Sequence, residues 1–178
     1  MAVPELDSII QSIPPEMALI SYVNHLYLRL AWLTITSDSI SGARERNSTL
    51  YAEALKITEF VKFLELRTDS ISFSEIMSKK YLRNKKLSRI ILESIAAFYR
   101  TLLQKPLPNE KQLEQFRECS HLLYNFLIKP LESVIQGKKE LVIVPDAILG
   151  YIPFETLLDE NGNYLIESFD IKYVQSAT

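Results

Sequence analysis

Residues 141–144 read Leu-Val-Ile-Val, and Pro145-Asp146 closes the run abruptly. Nothing else in the chain constrains its fold as tightly. A strand with one wet face alternates apolar and polar residues, and this one offers no polar position, so both of its faces are expected to be covered. The run follows a helical pattern and precedes a loop, which is where α/β folds set their parallel strands. Beyond it come a second proline-marked turn at Pro153, an Asn161-Gly162 hairpin signal and a further strand over residues 170–174. The expected class is therefore α/β, with a buried parallel strand and helices on both faces.

A chain of 178 residues suffices for one domain, or for two small lobes sharing a core. At this size roughly 70% of the unfolded surface can be buried, so no disulfide or metal staple is required. A hydrophobic fraction of 47% excludes wholesale disorder. Twenty basic against 22 acidic side chains leave the chain near neutrality, which argues against nucleic acid as a partner. The densest basic run, Lys79, Lys80, Arg83, Lys85, Lys86 and Arg89, reads as a solvated helix face. The single cysteine, Cys119, cannot form an internal disulfide, and this suits the reducing cytoplasm. Glu5 and Asp7 interrupt any signal-peptide pattern, and no apolar run reaches the roughly 18 residues of a membrane span. The glycosylation-like tripeptide Asn47-Ser48-Thr49 is read as chance, and no internal repeat is found.

Leu6, Ile9, Ile10 and Ile13 recur at helical spacing over residues 5–13, and Pro14-Pro15 ends that segment. Strands are expected over Met17 to Val23 and Tyr27 to Ile35, paired as a hairpin. In the second, Leu28, Leu30 and Leu33 fall near one face, with Trp32 and Thr34 near the other. Residues 37–48 are polar, contain Gly42 and read as a surface loop. A short helix over Leu50 to Leu55 and a strand over Glu59 to Leu66 come next. Leu87, Ile90, Ile91, Ile95, Phe98, Leu102 and Leu103 then form the stripe of a long helix. After the break at residues 105–109, a second helix runs from Glu110 towards Gln136, with Leu113, Phe116, Cys119, Leu122, Leu123, Phe126 and Leu127 inward. Pro130 should end or kink it, and Gly137 suits its C′ position.

Chemistry-bearing residues are few. Cys119 and His121 are close in sequence, but helix positions two apart point away from each other, so the thiol lacks its base. Cys119 is expected to be a small buried hydrophobe. His25 lies in a predicted turn and is read as structural or exposed. One cysteine and two scattered histidines cannot supply a zinc set, and no phosphate-cradling glycine pattern occurs. No cofactor is expected. Asp159-Glu160 flank a turn as solvated charge. Asp146 and Glu155 are the acids to watch, as weak candidates for substrate binding. Asp146 ends a strand where open α/β sheets place their sites, though an Asx-type turn or cap to Ile148 or Leu149 is the better reading of it. Glu155 sits in the first turn that Pro153 starts, where the helix dipole favours an acid.

Five pieces of the chain share their order and spacing with one known family. They are Leu123-Tyr124 through Pro130-Leu131, Gly137 through Asp146, Leu149 through Leu158, Tyr164 through Glu167, and Tyr173 with Ser176-Ala177-Thr178. Together they resemble the opening of the CHAT domain, caspase-like cysteine peptidases related to separase. The likeness is dense from Leu122 to Thr178 and thinner upstream. It implies a caspase-like sheet flanked by helices, incomplete at the C-terminus, with a pseudo-protease-like lobe over residues 1–108 and the start of a catalytic lobe over 109–178. The family's catalytic histidine and cysteine follow later strands, in His-Gly and Ala-Cys motifs that do not occur here, so no catalytic residue carries over. The resemblance thus implies the N-terminal part of a cysteine endopeptidase, inactive alone. The expected partner is a protein or peptide, such as the remaining CHAT segment or a tetratricopeptide-repeat region, with no nucleic acid and no membrane involved. A different class, a self-sufficient interaction scaffold that binds through its helices, stands beside this reading.

Overall fold

The computed structural model of the chain describes residues 6–25, 29–67, 78, 83–104 and 106–174. Its first helix, α1 (Leu6–Gln11), leads into β1 (Met17–His25), which pairs antiparallel with β2 (Arg29–Ile35) as the hairpin pattern predicts. β2 in turn pairs antiparallel with β3 (Ile40–Arg46). The expected surface loop over residues 37–48 is therefore in large part a strand. Its polar sequence hides it because it is an edge: it gains its hydrogen bonds from β2 and exposes most of its side chains. At Gly42 an added Cβ would come within 3.2 Å of the Trp32 carbonyl oxygen, so close backbone approach favours glycine there.

The chain then leaves the sheet for a helical layer. α2 (Asn47–Ala54) starts slightly earlier than the spacing predicts, and α3 (Thr58–Arg67) replaces the strand expected over Glu59 to Leu66. Phe60 and Leu64, one helical turn apart, are the residues that α3 buries. Phe60 and Phe63 both lie against Phe98, with ring centroids 5.7 and 5.4 Å away. Two long helices form as expected: α4 (Lys85–Leu103) and α5 (Glu110–Leu127). Asn84 caps α4 by accepting from the Leu87 amide, and Asn109 and Gln112 close a reciprocal capping box on α5. Arg83, Lys85, Lys86 and Arg89 are exposed at the start of α4, as a solvated face; Lys79 and Lys80 lie outside the described residues. Leu113, expected inward, is exposed on α5. The helix ends before Pro130, which enters a 3-10 turn at Lys129–Leu131 ahead of the short α6 (Glu132–Ile135). Gly137 then takes φ +78°, the left-handed conformation a C′ residue needs.

Residues 141–144 fall in β4 (Glu140–Val144), which is parallel to β1 on one side and to β5 (Asp170–Tyr173) on the other. A short α7 (Leu165–Ser168) precedes β5. One mixed sheet results, in the order β3-β2-β1-β4-β5, flanked by helices. Register sets Ala18, Ile20, Tyr22, Leu30, Trp32, Thr34, Leu141 and Ile143 on one face, where they join the core built with α2 to α5. Leu30 thus shares its face with Trp32 and Thr34, and Leu33 turns away from them, contrary to the expected grouping; Leu28 lies outside the described residues. The prediction that both faces are covered holds for β4 itself, whose central residues are buried. It does not hold for the sheet. On the face opposite the core, Val23 and Leu33 remain 53% and 42% exposed.

Candidate functional site

The carboxyl ends of β4 and β5 open onto one loop system, residues 145–164. Asp146 is extended (φ −100°, ψ 134°) and gives its backbone carbonyl to the Leu149 amide, starting a 3-10 turn over Ala147–Tyr151. Its carboxylate does not cap that turn. Oδ2 instead accepts from the backbone N–H of Asn24, 2.8 Å away at the end of β1. Asp146 thus pins the loop after β4 to the neighbouring strand. Asn47, whose side chain donates to Asn24 Oδ1 at 2.8 Å, is buried beside it.

Glu155 does sit in the first turn of a short 3-10 helix, Phe154–Thr156, as Pro153 predicts. Its carboxylate accepts a short hydrogen bond from the Tyr173 hydroxyl, which itself accepts from the Phe154 amide at 2.8 Å. Burial first, and the neighbouring Glu155 carboxylate second, push the Tyr173 phenol well above its ordinary range. The pair forms one wall of an open groove of about 520 Å³, with Arg100, Tyr151 and Pro153 among its other walls. The Arg100 guanidinium lies 5.6 Å from the Tyr151 ring centroid, within cation–π reach. Asp146 and Glu155 therefore part company: one fastens a strand end, and only the other faces the groove. Arg100 and the Tyr173 hydroxyl are groove groups that sequence reasoning missed. Arg100 gives no local signal, because it looks like any exposed residue at the end of a long helix.

The loop beneath the groove is held by a buried hydroxyl hub. Tyr99 donates to the Thr156 carbonyl at 2.8 Å, Ser120 reaches the same carbonyl at 3.0 Å, and the Leu158 amide donates to Ser120 Oγ at 2.9 Å. Burial raises the Tyr99 phenol to about 12. Asp159 accepts from the backbone amides of Asn161 and Asn163, both at 2.8 Å, and orders the Asn161-Gly162 turn, where Gly162 takes φ +80°. Desolvation opposes ionisation there, but the Asn163 and Asn161 bonds outweigh it and hold the Asp159 carboxyl below its usual range. Glu160 pairs with Lys129.

Cys119 and His121 separate as their helical spacing predicts. Cys119 is in the core, where burial pushes its thiol up to about 12, and His121 lines two open grooves on the outer side of α5. The larger of these holds about 790 Å³ and includes Glu59, whose carboxyl Lys111 first and Lys62 second hold below its usual range. Of His25 only the backbone, at the end of β1, is described. Among the described residues no three histidine, cysteine or acidic side chains converge as metal ligands, and no helix is long and apolar enough to cross a membrane.

The groove therefore offers recognition chemistry: a cation, an aromatic face and a carboxylate–phenol pair. Residues 117–178, which contain β4, β5 and the whole loop system between them, match the family model of the CHAT domain, a family related to caspase-like peptidases. No curated protein and no solved structure matches the chain.

Proposed function

We propose that this chain is the scaffold and first catalytic-lobe strands of a caspase-like cysteine endopeptidase and does not hydrolyse peptides by itself. The observation that carries the proposal is the state of its one thiol. Cys119 is buried among apolar side chains with its pKa raised to about 12, so at neutral pH almost none of it is thiolate. A thiol peptidase needs the opposite: an accessible sulfur beside a general base. The CHAT likeness of residues 117–178 supports the peptidase side of the reading.

The open edge supports the other side. Among the described residues, no strand pairs with the outer side of β5, so its backbone groups can template further parallel strands. The remaining CHAT segment, in the same polypeptide or supplied as a partner, is the protein we propose for that edge. The test is incubation of the purified chain with a fluorogenic peptide library and a thiol-directed chloromethyl ketone. No turnover and no labelling of native Cys119 are expected. Turnover that Cys119→Ala abolishes would overturn the proposal.

A further inference from the structure

The sheet face opposite the core carries apolar residues beside arginines that the rest of the described chain leaves unused. Register sets Arg29 opposite Arg46 and Arg44 opposite Ala31, while Ala31 pairs with Val23. Alternation along the strands then gathers Arg29, Arg44 and Arg46 on the face that holds Val23, Leu33 and Ile40. All six are exposed. Among the described residues no carboxylate forms an ion pair with any of the three arginines. Exposed apolar side chains grouped with arginine at one border are the composition of a protein-binding patch.

We infer that this face docks a protein segment whose apolar side is bordered by aspartate or glutamate, its acids meeting Arg29, Arg44 and Arg46. Charge complementarity selects that occupant over the alternatives. An anionic bilayer wants free cations across the whole contact plane, but here they gather at one border, and at the far corner of the same face Lys172 is paired with Glu140 and Asp170. Nucleic acid wants polar or aromatic contacts at the centre, where this face offers Val23 and Leu33. A second copy would have to answer the arginines with Glu140 and Asp170, and Lys172 already engages both, at 2.6 and 3.8 Å. The inference is independent of the proposed peptidase ancestry, since it concerns the face rather than the carboxyl-end groove.

The probe is a fluorescein-labelled, helix-forming peptide with leucines at three-and-four spacing and glutamates beside them. Its Glu→Lys and Leu→Ser counterparts serve as controls, and anisotropy is read against the intact chain. Binding of the Glu peptide about tenfold tighter than the Lys peptide is expected. The Arg29→Glu/Arg44→Glu variant should reverse that preference, and Leu33→Asp should weaken both peptides. Equal affinity for the Glu and Lys peptides overturns the inference without recourse to any variant. So does tighter sedimentation with phosphatidylcholine–phosphatidylserine vesicles that Leu33→Asp abolishes, which assigns the face to a bilayer. A dimer in sedimentation equilibrium that Leu33→Asp dissolves likewise overturns it and assigns the face to a second copy.

Discussion

Leu30 and Leu33 lie three residues apart on β2, yet they belong to opposite faces of the sheet and to different physical regimes. Leu30 is 1% exposed and joins Ile20, Trp32 and Ile143 in the core. Leu33 is 42% exposed, in a row with half-buried Ser21 and open Gly42. Residue type alone does not separate the two faces, since both present aliphatic side chains to their surroundings. The helices make the difference: α2 to α5 build one layer over one face, sealing it. What the contrast teaches is that an apolar strand pattern reports capacity for burial, and the number of available layers decides how much of that capacity is used.

The contrast is sharpest in stability. Leu30→Ala empties a packed site and should cost about 2–5 kcal/mol, read as a lowered midpoint in urea denaturation. A cost below about 1 kcal/mol would mean that the helical layer collapses into the gap and the seal is loose. At the carboxyl rim of the sheet, Asp146→Ala removes the acceptor of the half-buried Asn24 amide and should cost about 1.5–3 kcal/mol, the range for a charge-assisted bond. Ser120→Ala orphans the buried Leu158 amide and should cost about 1–3 kcal/mol. Tyr99→Phe should cost less, because Ser120 keeps its bond to the Thr156 carbonyl.

The sealed face also predicts an alkaline weakness. Burial raises Cys119 from 9.0 to about 12 and Tyr99 from 10.0 to about 12, and it raises Tyr22, whose hydroxyl donates to the Leu127 carbonyl. Each group keeps its proton longer in the fold than in the unfolded chain. The stability it contributes is complete below the unfolded value and is lost as pH rises from there towards the folded value. The urea midpoint should therefore hold up to about pH 9 and fall between pH 9 and 12. Cys119→Ala should delay the onset to about pH 10, where the tyrosines begin. A profile flat to pH 12 would show that these groups are open to water.

What could be read from the residues followed how plainly each segment's own apolar pattern declares its surroundings. β4, the β1–β2 hairpin, the α4 stripe, the Pro130 break and the Asn161-Gly162 turn each carry a signature in their own residues and were legible, although β4 finds its partners far along the chain in β1 and β5. β3 was not, because its polar residues become a strand only by borrowing hydrogen bonds from β2. α3 was misread as a strand although Phe60, Phe63 and Leu64 recur at helical spacing; its aromatic and β-branched residues masked the period. The grouping of Leu33 with Leu30 ignored strict alternation, which puts odd and even positions on opposite sides. At the site, the placement of Glu155 was legible from Pro153, which begins its turn. The strand tie made by Asp146 was not, since Asn24 lies 122 residues away and nothing near Asp146 announces it.

The open face yields the smallest effect and the sharpest limit on the comparison. Leu33→Ala removes a side chain that already meets water over much of its surface, so little apolar area changes state between the folded and unfolded chains. Its cost should lie within about 0.5 kcal/mol, against several for Leu30→Ala in the same strand. Urea denaturation of both variants at matched protein concentration measures the difference directly. If Leu33→Ala costs as much as Leu30→Ala at low concentration, the two faces of β2 are equally sealed and the contrast between them fails. A cost that appears only at high concentration would mean that Leu33 becomes buried between copies, because mass action then adds association to the stability being measured.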